Sequence, residues 1–71
     1  MMNLQELIAS NTNELDSIYI YYSQDAYDNL EPDVESDGNG NQVDELDCRC
    51  LVDSWFMDVN FCLHVLIPYE D

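Results

Sequence analysis

Asp33, Glu35, Asp37, Asn41 and Asp44 fall at positions 1, 3, 5, 9 and 12 of the stretch 33–44, with Gly38 at position 6. That is the oxygen-ligand spacing of an EF-hand calcium loop, and hard Ca²⁺ takes such oxygen-rich turns. The stretch departs from the pattern in three places: Glu35 stands at position 3, Gly40 sits where an apolar residue is usual, and Asp44 replaces the bidentate glutamate. Pro32 before the stretch and a predicted strand after it also disagree with the flanking helices of that motif. The spacing leaves calcium as an alternative use of these carboxylates, and no cofactor is expected.

Cys48-Arg49-Cys50 and Cys62-Leu63-His64 bring three thiols and an imidazole, the donor set of a tetrahedral zinc site. Structural zinc favours Cys-x2–4-Cys over Cys-x-Cys, and a period-two reading turns the first pair to the opposite sheet face from the second. Buried, inert thiols are expected instead. Catalysis has little to work with: one histidine, no lysine, no glycine-rich phosphate loop and no carboxylate pair in a visibly apolar setting. The protein is expected not to be an enzyme, with His64 as a packed strand residue.

What the chain has in quantity is negative charge. Sixteen carboxylates face one strong cation, Arg49, for a formal charge of −15, so most of the charge must meet water or a basic partner. Nine of the acids are Asp25, Asp28, Glu31, Asp33, Glu35, Asp37, Asp44, Glu45 and Asp47. Between 31 and 37 the acids alternate strictly, and extended backbone would space same-side carboxylates by ~6.6–6.8 Å. That spacing is of the order of neighbouring phosphates on a nucleic-acid strand, whose duplex carries one charge per ~1.7 Å of axis. A solvated, flexible loop would have the same composition. The tyrosines at 19 and 21 add aromatic surface, and these eleven residues form the expected partner-binding set.

In size, charge and acid-rich strands or loops, the chain resembles the small DNA-mimic inhibitors of mobile elements, the antirestriction and anti-CRISPR proteins. Its opening, Met2-Asn3-Leu4-Gln5-Glu6-Leu7-Ile8, is similar in style to a short N-terminal helix in one family of Cas9 inhibitors. The resemblance implies a partner with a basic cleft: a Cas effector, a restriction enzyme or another DNA-processing enzyme. It implies binding without catalysis, no direct contact with nucleic acid, and action in the cytoplasm of a bacterial host cell. The alternative is an acidic calcium-binding or interaction module acting on some other basic protein.

These residues need a scaffold, and composition supplies one: 46% of the chain is apolar, too much for disorder. One small domain over 1–71 is expected. No apolar run approaches the ~20 residues that span a bilayer, and anionic lipid would repel the chain. Asn3 and Glu6 stand in capping-box spacing before a helix at 4–10, and 11–16 reads as a connection. Alternation predicts a strand at 17–22 with Ile18, Ile20 and Tyr22 on one face. Ser23 caps a helix at 24–30, stopped by Pro32, and 31–42 reads as an exposed acidic loop. Leu46, Cys48, Cys50 and Val52 alternate, as do the odd positions from Trp55 to Ile67. A hairpin turning at Asp53-Ser54 would pair them and set Arg49 opposite Asp58; the competing reading is a helix from Ser54.

The expected fold is α+β: a small three-stranded, mainly antiparallel sheet with one or two short helices and a C-terminal β-hairpin. Its expected core is Leu4, Leu7, Ile8, Ile18, Ile20, Leu30, Leu46, Cys48, Cys50, Trp55, Met57, Val59, Phe61 and Leu63. The second face, with Tyr19, Tyr21, Leu51, Phe56 and Leu66, carries more apolar surface than water requires, for burial against a partner or in a homodimer.

Overall fold

The structure, a computed structural model, describes residues 2–11 and 15–68. Helix α1 (Leu4–Asn11) begins where the capping box puts it: Asn3 Oδ1 accepts from Glu6 N at 2.8 Å, and Asn3 N donates to Glu6 Oε1 at 3.1 Å. Two otherwise unpaired N–H groups are thus satisfied reciprocally. Strand β1 (Ser17–Tyr21) follows. In α2 (Gln24–Asn29), Ser23 Oγ accepts from Ala26 N at 3.1 Å. The helix ends at Leu30, left-handed at φ 54°, with Leu30 N and Glu31 N donating back to the Tyr27 and Ala26 carbonyls. This is a Schellman closure without its usual glycine, and it leaves the Leu30 side chain exposed rather than in the core.

Val34–Asp37 is strand β2, so the segment read as an acidic loop contributes to the sheet. A short helix α3 (Glu45–Arg49) and strands β3 (Ser54–Met57) and β4 (Cys62–Leu66) follow. Among the described residues the fold is α+β, with three helices and a four-stranded mixed sheet in the order β2-β1-β4-β3. The sheet therefore differs from the three-stranded, mainly antiparallel expectation. Strands β1 and β4 pair in parallel at its centre, and the edge strands β2 and β3 pair antiparallel to them. β4 is buried throughout, as a central strand covered on both faces must be.

The C-terminal hairpin forms between β3 and β4, not at Asp53-Ser54. A strand unbroken from Trp55 to Ile67 would run ~43 Å at ~3.3 Å per residue, beyond the 34 Å long axis of the domain. The chain turns instead at 58–61. Asp58 Oδ1 accepts from Asn60 N at 2.8 Å and Cys62 N at 3.1 Å, and Phe61 takes φ 62°. Val59 and Phe61, expected in the core, project from this turn, with Val59 92% exposed.

The segment expected to pair with Trp55–Phe61 by alternation is α3. Its period-two apolar pattern does not face a sheet: Leu46 is 74% exposed while its neighbour Asp47 is buried. Arg49 pairs weakly with Glu45 one helical turn away, at 3.6 Å on exposed side chains, and not with Asp58.

The core lies on one sheet face, where Ile18, Ile20, Leu63 and Val65 meet Leu4, Leu7 and Ile8 of α1, with Val52 and Ile67 closing the ends. Cys50 and Met57 pack against it from the margin. Val52, Val65 and Ile67 join the core without having been expected there. Trp55 remains 46% exposed on its edge strand. Gly38, just after β2, sits so close to the Leu15 carbonyl that any Cβ would collide with that backbone. This close approach, rather than a calcium turn, is what requires glycine here.

Candidate protein-interaction surface

Registered neighbours in a sheet point to the same side. Tyr19 faces Glu35 across β1–β2, and Ser17 faces Asp37. With Asp16, which leads into β1, these residues line a shallow groove of ≈440 Å³ on the face opposite α1. Tyr19 is half-buried in its floor, while Asp16, Glu35 and Asp37 are exposed around it. A smaller depression between Tyr19, Leu30, Pro32 and Glu35 continues it toward α2. The one arginine lies on α3, which packs beside α1 on the other side of the sheet.

Asp37 is the most organised of these acids. Its carboxylate accepts from Asn39 N (3.0 Å), Asn41 N (3.1 Å) and Asn41 Nδ2 (2.7 Å). These hydrogen bonds, those from Asn41 foremost, hold its carboxyl below the ordinary aspartate value, because they favour the charged form. Asp33 is also engaged, accepting from Tyr22 N at 2.8 Å.

The calcium spacing therefore has a different physical basis. Asp33 and Glu35 lie along or beside an extended strand, Asp37 and Asn41 bond to each other, and Asp44 opens α3. Among the described residues, no three His, Cys, Asp or Glu side chains are grouped so as to hold a metal ion. Cys48 and Cys50 sit in and just after α3, away from Cys62 and His64 on β4. Burial, reinforced by neighbouring carboxylates, pushes the Cys48 and Cys62 thiols up, which keeps them protonated and poor nucleophiles.

The expected partner-binding residues divide into three groups. Glu31, Asp33, Glu35, Asp37 and Tyr19 lie on or beside the β2 edge, and Asp25 and Asp28 are exposed on α2 above the same face. Asp44 and Glu45 are exposed at the start of α3, on the far side of the sheet. Asp47 and Tyr21 are structural. Asp47 is 2% exposed and accepts from Tyr22 Oη at 2.6 Å; burial, then that hydrogen bond, pushes the Tyr22 phenol well above its ordinary value. Tyr21 is 1% exposed, with its hydroxyl 2.8 Å from His64 Nδ1.

Two sites escaped the sequence. Asp16 was read as part of a connection, and only the β1–β2 register brings it to Asp37. The other is the aromatic layer under α2: His64 stacks on Phe56 with centroids 4.4 Å apart, and the Tyr27 ring meets both Tyr21 and Phe56 edge-on. His64 Nε2 lies 2.8 Å from Asp58 Oδ2. The tautomer with its proton on Nε2 satisfies every group, since Nε2–H donates to Asp58 and the Tyr21 hydroxyl donates to Nδ1. The hydrogen bond with His64 is the main reason the Asp58 carboxyl is held below its ordinary value. The group ties α2 to β1, β3 and β4; Phe56 is 37% exposed at its outer side, and Tyr21 borders the small depression beside Leu30 and Pro32.

No protein-family model matches the chain, no curated protein matches it, and no solved structure matches its fold. No helix among the described residues is long and apolar enough to cross a membrane.

Proposed function

We propose that this protein is an inhibitor that occupies the basic nucleic-acid site of a bacterial defence or DNA-processing enzyme, its carboxylates standing in for phosphates. One observation carries the reading: Tyr19 lies in a groove ringed by Asp16, Glu35 and Asp37, next to further exposed acids on α2 and at Glu31 and Asp33. Regularly spaced negative charge around an aromatic surface is what a cleft lined with Lys and Arg binds in a nucleic acid. β2 supplies the spacing because it is extended, with the side chains of Glu35 and Asp37 on one side. The chain itself performs no chemistry in this role. Arg49 takes no part in the contact.

The test is inhibition of a panel of bacterial nucleases, including Cas effectors and restriction enzymes, with DNA as the competitor. Inhibition that is relieved by raising the DNA concentration and weakens steeply with salt supports the reading. Inhibition indifferent to both, or absent across the panel, counts against it.

A further inference from the structure

We propose that β3 is a strand-addition site, along which an extended segment of another protein, apolar at its centre with Lys or Arg at each end, pairs as a fifth strand. Among the described residues β3 hydrogen-bonds to β4 on one side only, and an edge strand presents its remaining N–H and C=O groups outward. Ser54–Met57 contains no charge, proline or glycine to discourage pairing. Its aromatics stand on opposite faces: Trp55 registers with Val65 on the core side and Phe56 with His64 on the other. They are 46% and 37% exposed. A strand laid against this edge would find an aromatic side chain above and below it, the arrangement that gives strand addition both affinity and side-chain selectivity.

Charge selects the occupant. Asp53, exposed, immediately precedes β3, and Asp58, which carries its charge while bonded to His64 and to the amides of its own turn, immediately follows it. Cations at both ends of an incoming strand therefore come near a carboxylate, with Asp53 the one free to pair directly. A second copy of the chain is the wrong occupant. Antiparallel self-pairing about the middle of β3 sets Asp53 of one copy opposite Asp58 of the other, and like charges directly opposite are destabilising. Each copy also brings a charge of −15. The site lies at the opposite edge of the sheet from the acidic groove and does not rest on the inhibitor reading.

The probe is a capped peptide of alternating valine and threonine with a lysine at each end, titrated into the isotope-labelled full chain and followed by amide NMR. Saturable shifts centred on Ser54–Met57, with slowed exchange of the outward amides there, are the expected result. A control peptide with proline at alternate positions should give none. Trp55→Lys should weaken binding roughly ten-fold. Should that variant fold poorly, Asp53→Lys, exposed and outside the strand, should weaken it in the same direction. Shifts centred on the β2 and α2 acids, equal binding of the proline peptide, no saturable binding, or dimerisation of the free chain through β3 would each overturn the proposal.

Discussion

β2 and β3 are each four residues long, pair with one neighbour among the described residues, and stop at or beside an aspartate that accepts N–H groups of the following turn. Their exposed side chains are opposites. β2 offers Glu35 and Asp37, with Asp33 just before it; β3 offers Trp55 and Phe56 and no charge. Charged side chains are the usual protection of a sheet edge against unwanted pairing, so the exposed acids of β2 guard that edge. β3 has no such guard, and the repulsion of a −15 chain supplies general solubility in its place. One small sheet can thus keep two kinds of surface apart by assigning them to opposite edges.

Variants that damage one edge should leave the other intact. The largest effect is expected at the β2 end: Gly38→Ala drives a methyl into the Leu15 carbonyl and should cost ~1–3 kcal/mol by overpacking. Urea denaturation would read this as a lower midpoint. An unchanged midpoint would mean that the close approach yields easily. On the β3 side, Tyr21→Phe removes the donor to His64 Nδ1 inside the aromatic layer and should cost ~1–2 kcal/mol. Amide exchange should quicken in β3 and β4 before β2; uniform quickening would deny the edges their independence.

The two turn aspartates act in the same acid window and are told apart by substitution. Each is depressed on folding, Asp37 chiefly by its hydrogen bonds with Asn41 and Asp58 chiefly by that with His64. A depressed carboxyl contributes stability above its unfolded value of ~3.9, and that contribution is lost as pH falls through the folded value. Acid destabilisation from these groups should therefore set in below about pH 4. Asp37→Asn and Asp58→Asn should each flatten part of the decline in urea midpoint, and a decline unchanged in both variants would exclude them as its source. Tyr21, Tyr22 and Tyr27 act on the alkaline side. Burial pushes all three up, so their contribution is complete below ~10 and lost as pH rises through the folded values. The smallest effect belongs to Arg49→Ala: its exposed pair with Glu45 should be worth less than ~0.5 kcal/mol, and a larger loss would point to a structural role for the lone arginine.

Local rules were readable before the fold. The Asn3–Glu6 box, the Ser23 cap and the Ile18/Ile20 alternation depend on residues within one turn or one strand, and they formed as expected. The C-terminal third was misread because apolar residues at odd positions continue, by coincidence, through a turn that exposes Val59 and Phe61. Asp58 and Asn60 were the available turn signals there. The same coincidence disguised α3 as a strand.

The acids of β2 were legible as an alternating row, whereas Asp16 in the groove was not. Its neighbours come from strand register, which a single sequence does not specify. The contact between Tyr21 and His64, 43 residues apart, arises from the parallel pairing of β1 and β4 and left no local trace.

The central claim is that the negative charge acts as a directed surface at β2 and not as a bulk property. Two fourfold variants with the same loss of charge decide it. One carries Glu31→Gln, Asp33→Asn, Glu35→Gln and Asp37→Asn; the other carries Glu6→Gln, Asp44→Asn, Glu45→Gln and Asp53→Asn. Compared as inhibitors of the same DNA-processing enzyme at one ionic strength, the first should lose inhibition while the second retains it. Equal loss in both, or retention by the first, would contradict the account.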